Sequence, residues 1–289
     1  MKDNKLYSYR LVMPALLLYS TLFILPAIIG SYFSFTDWTI GKDTISFIGF
    51  ENFKTIFTDS ELVHAIANTF IYAIIVVIFK NGLGLLLSLA VNAKIPATNF
   101  FRAVFYLPAV ISSIVIGLVF TRVLHPEGIL NATLDSLGLG FLALDWLTDI
   151  RIVIFTVAAV SIWQWTGYHM AIYLAGLQGI PADYYEAADI DGAGAFQKFR
   201  HITIPMLAPS ININVILSLI GGLRVFSEVY ALTNGGPGNA SQVLTTEVLK
   251  MFGSGSWGMG TAMNTVLMVI VGLISIPLLY NMRKQEVEE

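Results

Sequence analysis

Six apolar runs, at about 11 to 34, 66 to 91, 103 to 124, 152 to 177, 206 to 232 and 262 to 281, constrain this chain more than anything else in its 289 residues. A helix needs about 20 such residues to cross the hydrocarbon of a bilayer, and lipid leaves every backbone polar group to be satisfied by the protein itself. The fold class expected is all-α: a polytopic membrane protein with six transmembrane helices and one domain spanning 1–289. Composition agrees, since only 12% of the residues are charged and the mean hydropathy is +0.73, against about 25% charged in soluble domains. A seventh patch, "LGLGFLALDWL" at 137 to 147, is half the required length and carries Asp145, so it reads as an interfacial or loop element. The start, "MKDNKLYSYRLVMPALLLYSTLFILP", has a basic lead and an apolar run too long for a signal-peptide core, with no small-residue cleavage site after it. It reads as a retained first span.

Short cytoplasmic segments carry the lysine and arginine excess of a membrane protein. With the N-terminus inside, the cytoplasmic segments hold Lys2, Lys5, Arg10, Lys94, Arg102, Lys198, Arg200, Arg283 and Lys284, while the longer outer segments hold only Lys42, Lys54, Arg122, Arg151 and Lys250. Both termini are then cytoplasmic, and so is the loop 178–205 between the fourth and fifth spans. A net charge of −3 with scattered basic residues gives no footprint for nucleic acid. The absence of cysteine removes disulfides, thiolate metal sites and cysteine nucleophiles, and no second histidine or carboxylate stands at metal-binding spacing beside His169. The chain also has no Gly-x4-Gly-Lys-Ser/Thr phosphate loop.

The loop "IPADYYEAADIDGAGAFQKFRHITIP", 180 to 205, is charged and glycine-punctuated. Asp183 stands three residues before Glu186, the spacing of a capping box, so a short helix is expected to start there. Gly192 and Gly194 suit its left-handed ending, and "AFQKFRH" suits a second helical piece with Phe196 and Phe199 on one side. "ITIP" is then expected to break into the fifth span. The loop thus reads as helix, glycine turn, helix, offering the small Ala187 and Ala188 outward among flanking carboxylates. An ordinary amphipathic surface helix would have many of the same features.

The full spacing is more specific. Glu186-Ala187-Ala188, then Asp189, Asp191, Gly192, Ala193, and Ile202 with nine residues between it and Gly192, followed by Ile204 and Pro205, resembles the EAA loop of the membrane subunits of ATP-binding-cassette importers. Ile204 departs from that pattern, where leucine is usual. "SFTDW" at 34 to 38, "FIGFENFKTIF" at 47 to 57, "FRAVFYLP" at 101 to 108, "LAGLQGIP" at 174 to 181 and "VYALTNGGPGNAS" at 229 to 241 are similar to the carbohydrate-importing branch, over essentially the whole chain. The resemblance implies a type I importer membrane domain in the bacterial cytoplasmic (inner) membrane. Its implied partners are a second, similar permease in a heterodimer, two copies of a cytoplasmic ATPase and an extracytoplasmic sugar-binding protein. It further implies that Glu186, Ala187, Ala188, Asp189, Asp191, Gly192, Ala193, Phe196, Phe199, Ile202 and Pro205 form the seat for the ATPase. No cofactor belongs to this chain; ATP and Mg would be bound by the ATPase, and membrane lipid surrounds the spans. The large extracytoplasmic insertion of the maltose importer's permease is missing.

Polar residues inside spans are expensive and tend to face a bundle interior or a water-filled path. Ser161, Gln164 and Tyr168 share a stripe of the fourth span with Ala171 and Ala175, flanked by Trp165 and His169; Asn214, Ser218, Gly221 and Gly222 form another in the fifth; Lys80 and Asn81 lie in the second, with Gly84 and Ser88. Amides and aromatic rings suit sugars, whose hydroxyls need paired donors and acceptors and whose ring faces stack. The substrate-pathway candidates are Lys80, Asn81, Gln164, Trp165, Tyr168, Asn214, Ser218 and Gly222. Small-residue helix packing is the competing reading for the stripes, and Lys80 either lines the path or pairs with a carboxylate such as Glu228. Arg224 and Glu228, four apart, are expected to form an ion pair. The outer "TNGGPGNAS" is a turn by its chemistry, to which the resemblance adds docking of a binding protein.

Three functions compete. The importer subunit is non-catalytic and relays work done by an ATPase; an importer of a non-sugar solute is the nearest variant. A self-sufficient secondary transporter would want inverted repeats and a midplane carboxylate, which the sequence does not display. A membrane enzyme would want a nucleophile, base and orienter, which cannot be assembled from these loops.

Overall fold

The computed structural model describes residues 9–93 and 97–287, and shows a helical protein with one isolated β-bridge, Thr36 to Phe47, among the described residues. Lys2, Lys5 and Lys94 of the charge comparison lie outside them. The first span is helix α1, Val12–Phe33, which passes through a π-turn at Ser20–Ile24. It buries none of its apolar residues, Leu16, Leu17, Leu22 and Phe23 being about as exposed as one another. A short amphipathic helix α2, Glu51–Thr58, precedes α3, Ser60–Asn92. Helix α3 starts where the Asp59 carboxylate accepts from the amides of Glu61 (2.8 Å) and Leu62 (3.2 Å), satisfying two otherwise orphaned donors. It then runs 33 residues without proline.

The third apolar run does not form one straight rod. It makes α4, Thr98–Val110, and α5, Ser113–Val123, bent by 96° at Ile111 and Ser112. The run expected as one span over 103 to 124 is thus two helices meeting at a corner, a broken span or a re-entrant pair. Pro108 ends the regular ladder, and the carbonyl of Ile111 is taken instead by the side chain of Gln164 (3.0 Å). After a surface helix α6, Ile129–Ser136, the fourth run forms α7, Val153–Gln178, whose 26 residues reach about 39 Å at ~1.5 Å per residue. Just before it Arg151 donates to Asp149 (2.7 and 3.1 Å) and holds that carboxyl down at about 2.

The loop helix α8, Ala182–Ile190, is followed by α9, Ala195–Met206, and α10, Ala208–Leu223, the last two meeting at 66° around Leu207. The helix therefore continues through "ITIP" and turns two residues after Pro205. The fifth run also ends sooner than expected: it breaks at Arg224–Phe226 before α11, Ser227–Leu232. Helix α12, Leu244–Gly253, and the long α13, Trp257–Val287, complete the order. Among the described residues three helices, α1, α3 and α13, are long and apolar enough to cross a membrane, and each bent pair adds one if counted as a span, giving five. Helix α7 has the length, with its apolar character diluted by Gln164, Trp165, Tyr168 and His169.

Packing centres on α3 against α7, with α10 closing on α3 and α4 on α7. Glycines permit the closest crossings. A Cβ on Gly222 would meet Ala73 Cα and Val76 Cγ2 at 2.9 Å, and one on Gly167 would strike the Phe105 carbonyl. At one end of the bundle the outer segments are tied together: Asn52 donates to the carbonyls of Ser34 and Thr36 (both 2.9 Å), and Trp38 stacks edge-on against Trp257 with centroids 4.8 Å apart. Asn68 of α3 likewise holds the "TNGGPGNAS" loop through the carbonyls of Ala240 (2.9 Å) and Gln242 (3.0 Å).

Candidate functional site: a polar cavity and a rigid loop

A cavity of about 460 Å³ opens between α3, α7, α10 and the start of α11. It lies beside the α4–α5 corner, because Ser113 at the head of α5 is one of its lining residues. Trp165 and Tyr168 stand on its wall with their rings edge-to-face at 6.0 Å. Trp165 Nε1 donates to Glu228 Oε1 (3.2 Å), and Ser113 donates to the same oxygen (3.3 Å). Lys80, 6% exposed, reaches this cavity from α3, and Arg224 from the break after α10. Of the three charges only Lys80 is buried, Arg224 being exposed and Glu228 half-buried; a buried charge inside a span is costly and marks a functional place.

The expected Arg224–Glu228 ion pair does not form. Among the described residues neither Lys80 nor Arg224 comes within 4 Å of a carboxylate oxygen. Glu228 is instead turned to Trp165 and Ser113.

The eight pathway candidates divide by what their polar atoms touch. Lys80, Trp165, Tyr168 and Ser218 line the cavity. Gln164 is fully buried and donates to Ile111; Asn81 donates to Ser218 (2.8 Å) and accepts from Tyr173 (2.8 Å); Asn214 Oδ1 meets His169 Nδ1 at 2.7 Å; Gly222 fills a helix crossing. Those four join helices to each other and do not line the cavity. Sequence reasoning had Glu228 and Arg224 as each other's partners and left Ser113 out altogether. Two charges four residues apart look paired on a continuous helix, and only the break at Arg224–Phe226 separates them. A larger groove of about 800 Å³ between α3, α4 and α7 is walled by Phe79, Phe105, Phe155 and Trp163, and offers almost nothing to a hydroxyl.

The loop after α7 is a rigid attachment. Helix α8 is capped by Pro181, and no side-chain cap bond is made at its start. Asp183 thus lies in the first turn and does not build the expected capping box, because proline moves the helix start two residues earlier. At the other end Gly192 takes φ +74°, with its amide on the carbonyl of Asp189 (3.1 Å) and the Ala193 amide on Ala188 (2.9 Å). These are the two bonds of a Schellman ending, which needs a left-handed residue at that position. Gly194, expected to be left-handed too, has φ −70° and opens α9, its amide bonded to Gln197 Oε1 at 2.8 Å. Lys198 pairs with Asp189 across the turn. Tyr185 reaches Thr203 (3.0 Å) and packs with Ile202 against Leu177, Ile180 and Leu207, so the loop is bolted to α7 and α10.

Its outward side carries the other expected residues. Glu186, Ala187, Asp189, Asp191 and Gly192 are exposed, Phe196 is 72% exposed, and Ala188, Ala193, Phe199 and Pro205 are partly covered. Ile190, overlooked in the sequence between two aspartates, is 88% exposed. Apolar side chains held out by a fixed backbone mark a contact surface.

A helical membrane protein with a charged, aromatic cavity between its spans and a braced loop at one end is, by class, a polytopic transport protein. The chain matches the family model described as "Binding-protein-dependent transport system inner membrane component" over residues 80–283, and it belongs to that family. It is 32% identical over 286 residues to the probable starch degradation products transport system permease protein AmyD of Thermoanaerobacterium thermosulfurigenes, covering 99% of this chain and 97% of that one. It is 34% identical over 274 residues to the multiple sugar-binding transport system permease protein MsmF of Streptococcus mutans, covering 94% of each. Its fold superposes with TM-score 0.82 on a chain of a bacterial ABC transporter that imports the acidic polysaccharide alginate, at 24% identity and covering 96% of this chain and 94% of that one.

Proposed function

We propose that this chain is the non-catalytic membrane half of an ATP-driven, binding-protein-dependent sugar importer. It sits in the bacterial cytoplasmic membrane with both termini inside, alongside a second, similar permease, two copies of a cytoplasmic ATPase that bind ATP and Mg, and an extracytoplasmic sugar-binding protein. The named substrates of its relatives, starch products and multiple sugars, support a sugar. The observation that carries the coupling role is the Schellman-locked loop, which holds Glu186, Ile190 and Phe196 out from the bundle while Tyr185 and Ile202 anchor it to α7 and α10.

A helix fixed at both ends moves as a body with the spans it is bolted to, so closure of an ATPase pair beneath it is felt in the cavity as a shift between two arrangements. Trp165 and Tyr168 offer ring faces to a pyranose, and Glu228, Ser113 and Lys80 offer acceptors and donors to its hydroxyls.

The test uses the complete complex in proteoliposomes. Ile190→Ser should leave the complex folded and assembled to the same melting temperature, yet uncouple it, so that ATP is hydrolysed without sugar-stimulated uptake. Uptake equal to wild type in both Ile190→Ser and Glu186→Ala would remove the coupling role. Sugar uptake by the purified chain with no ATPase would replace the importer reading with a secondary transporter.

A further inference from the structure

The cavity has more positive charge than it neutralises. Lys80 and Arg224 bring two cations, Glu228 one carboxylate, and among the described residues no ion pair joins them. Nor is Glu228 idle. Its Oε1 accepts from both Trp165 and Ser113, which fixes the carboxylate on the side of the aromatic wall. Glu228 acts on Lys80, 6% exposed in the middle of a span, through the intervening space, and among the described residues the exposed Arg224 has no carboxylate within 4 Å. An ionisable group buried inside a span marks a substrate or ion pathway, with a partner of opposite charge the favourable occupant.

We propose that this half of the pathway is built for a sugar bearing a carboxylate, of the uronate type. The pyranose lies in the corner made by the perpendicular rings of Trp165 and Tyr168, a hydroxyl is taken by Glu228, and the sugar's carboxylate is received by Lys80, with Arg224 as a second cation at the break before α11. Lysine suits a carboxylate that passes through, since its ammonium is a flexible point charge, while the planar arginine fork holds one bidentately. A neutral oligosaccharide would use the rings and Glu228 equally well but would leave a cation unpaired at every step.

The inference rests on the sugar-importer reading, and the experiment separates the two. The complete importer, with its own binding protein, is reconstituted and offered trigalacturonate and maltotriose, which have equal length and similar rings. Because the binding protein is unchanged between variants, its preference cancels when wild type and variant are compared. Lys80→Gln should lower the ratio of trigalacturonate to maltotriose uptake by about tenfold or more, and Arg224→Gln should lower it in the same direction. Arg224→Gln also decides the matter if Lys80→Gln does not assemble. If maltotriose is not carried at all, the same fall is read as trigalacturonate moved per ATP hydrolysed. A ratio unmoved in both variants, or import of maltotriose with no trigalacturonate, overturns the acidic-sugar inference and leaves the sugar importer standing. Import of neither by a complex that hydrolyses ATP overturns both.

Discussion

Replacing Gly192 isolates backbone conformation from contact at the loop. A Cβ built on Gly192 meets nothing within 4 Å, so within this chain the cost of a side chain is conformational alone. At φ +74° an ordinary L-residue is disfavoured by roughly 1–2 kcal/mol, while asparagine visits this region more readily. One to two kcal/mol is a factor of about 5–30 in the population of the native turn. If the Schellman ending is what keeps α8 in place, the order of damage should be Asn least, Ala intermediate and Val greatest, valine's branched Cβ being the worst fit to a left-handed residue. The assay is sugar-stimulated ATP hydrolysis by the complete complex, with melting temperature as a control; because the turn is solvent-exposed, the bundle should melt within a few degrees of wild type in all three. Two results refute the reasoning. If Ala and Val behave like glycine, the left-handed turn is not needed. If Asn is the worst of the three, Gly192 is glycine because a partner surface approaches it and not because of its φ.

Gly167→Ala places a methyl group against the Phe105 carbonyl, and overpacking of this kind costs about 1–3 kcal/mol, so the purified protein should melt several degrees lower; an unchanged melting curve would mean that α4 and α7 are not locked there. Asn81→Leu removes the acceptor of Tyr173 and the donor to Ser218, each worth about 0.6–1.7 kcal/mol between membrane helices. Thermal stability should fall while the apparent KM for sugar stays put, and a change in KM alone would return Asn81 to the pathway. Trp165→Phe keeps an aromatic ring but loses the donor to the Glu228 carboxylate, worth about 1.5 kcal/mol, so KM should rise about tenfold with kcat little changed. A drop in kcat at constant KM would place Trp165 in the conformational step.

How much of this was visible in the sequence depends on whether the information is local. The long α3 and α7 follow from apolar length, and the loop's glycine ending follows from residues a few positions apart. The Schellman turn at Gly192 is local in the same sense. Gln164 and Tyr168 share a stripe, as the 3.6-residue period requires, but the period does not say which neighbour the stripe meets. Gln164 is spent on Ile111, 53 residues away, while Tyr168 opens to the cavity. The separation of Arg224 from Glu228 was hidden for a similar reason: no proline marks the break, and Val225 is held in the core with Val229 and Leu232 while its carbonyl accepts from Thr245 of α12. The Asp183 capping box failed for a local reason, because Pro181 supplies an earlier helix start.

The corner at Ile111 has a bearing on how the chain is made. Backbone groups freed by a bend cannot be left facing hydrocarbon, and among the described residues the carbonyl of Ile111 takes its hydrogen bond from Gln164 Nε2. That amide is synthesised 53 residues later. The third apolar run therefore has no finished shape to adopt when it first meets lipid. It must wait, straight or sheltered, until the fourth run arrives, and the two settle together as a pair.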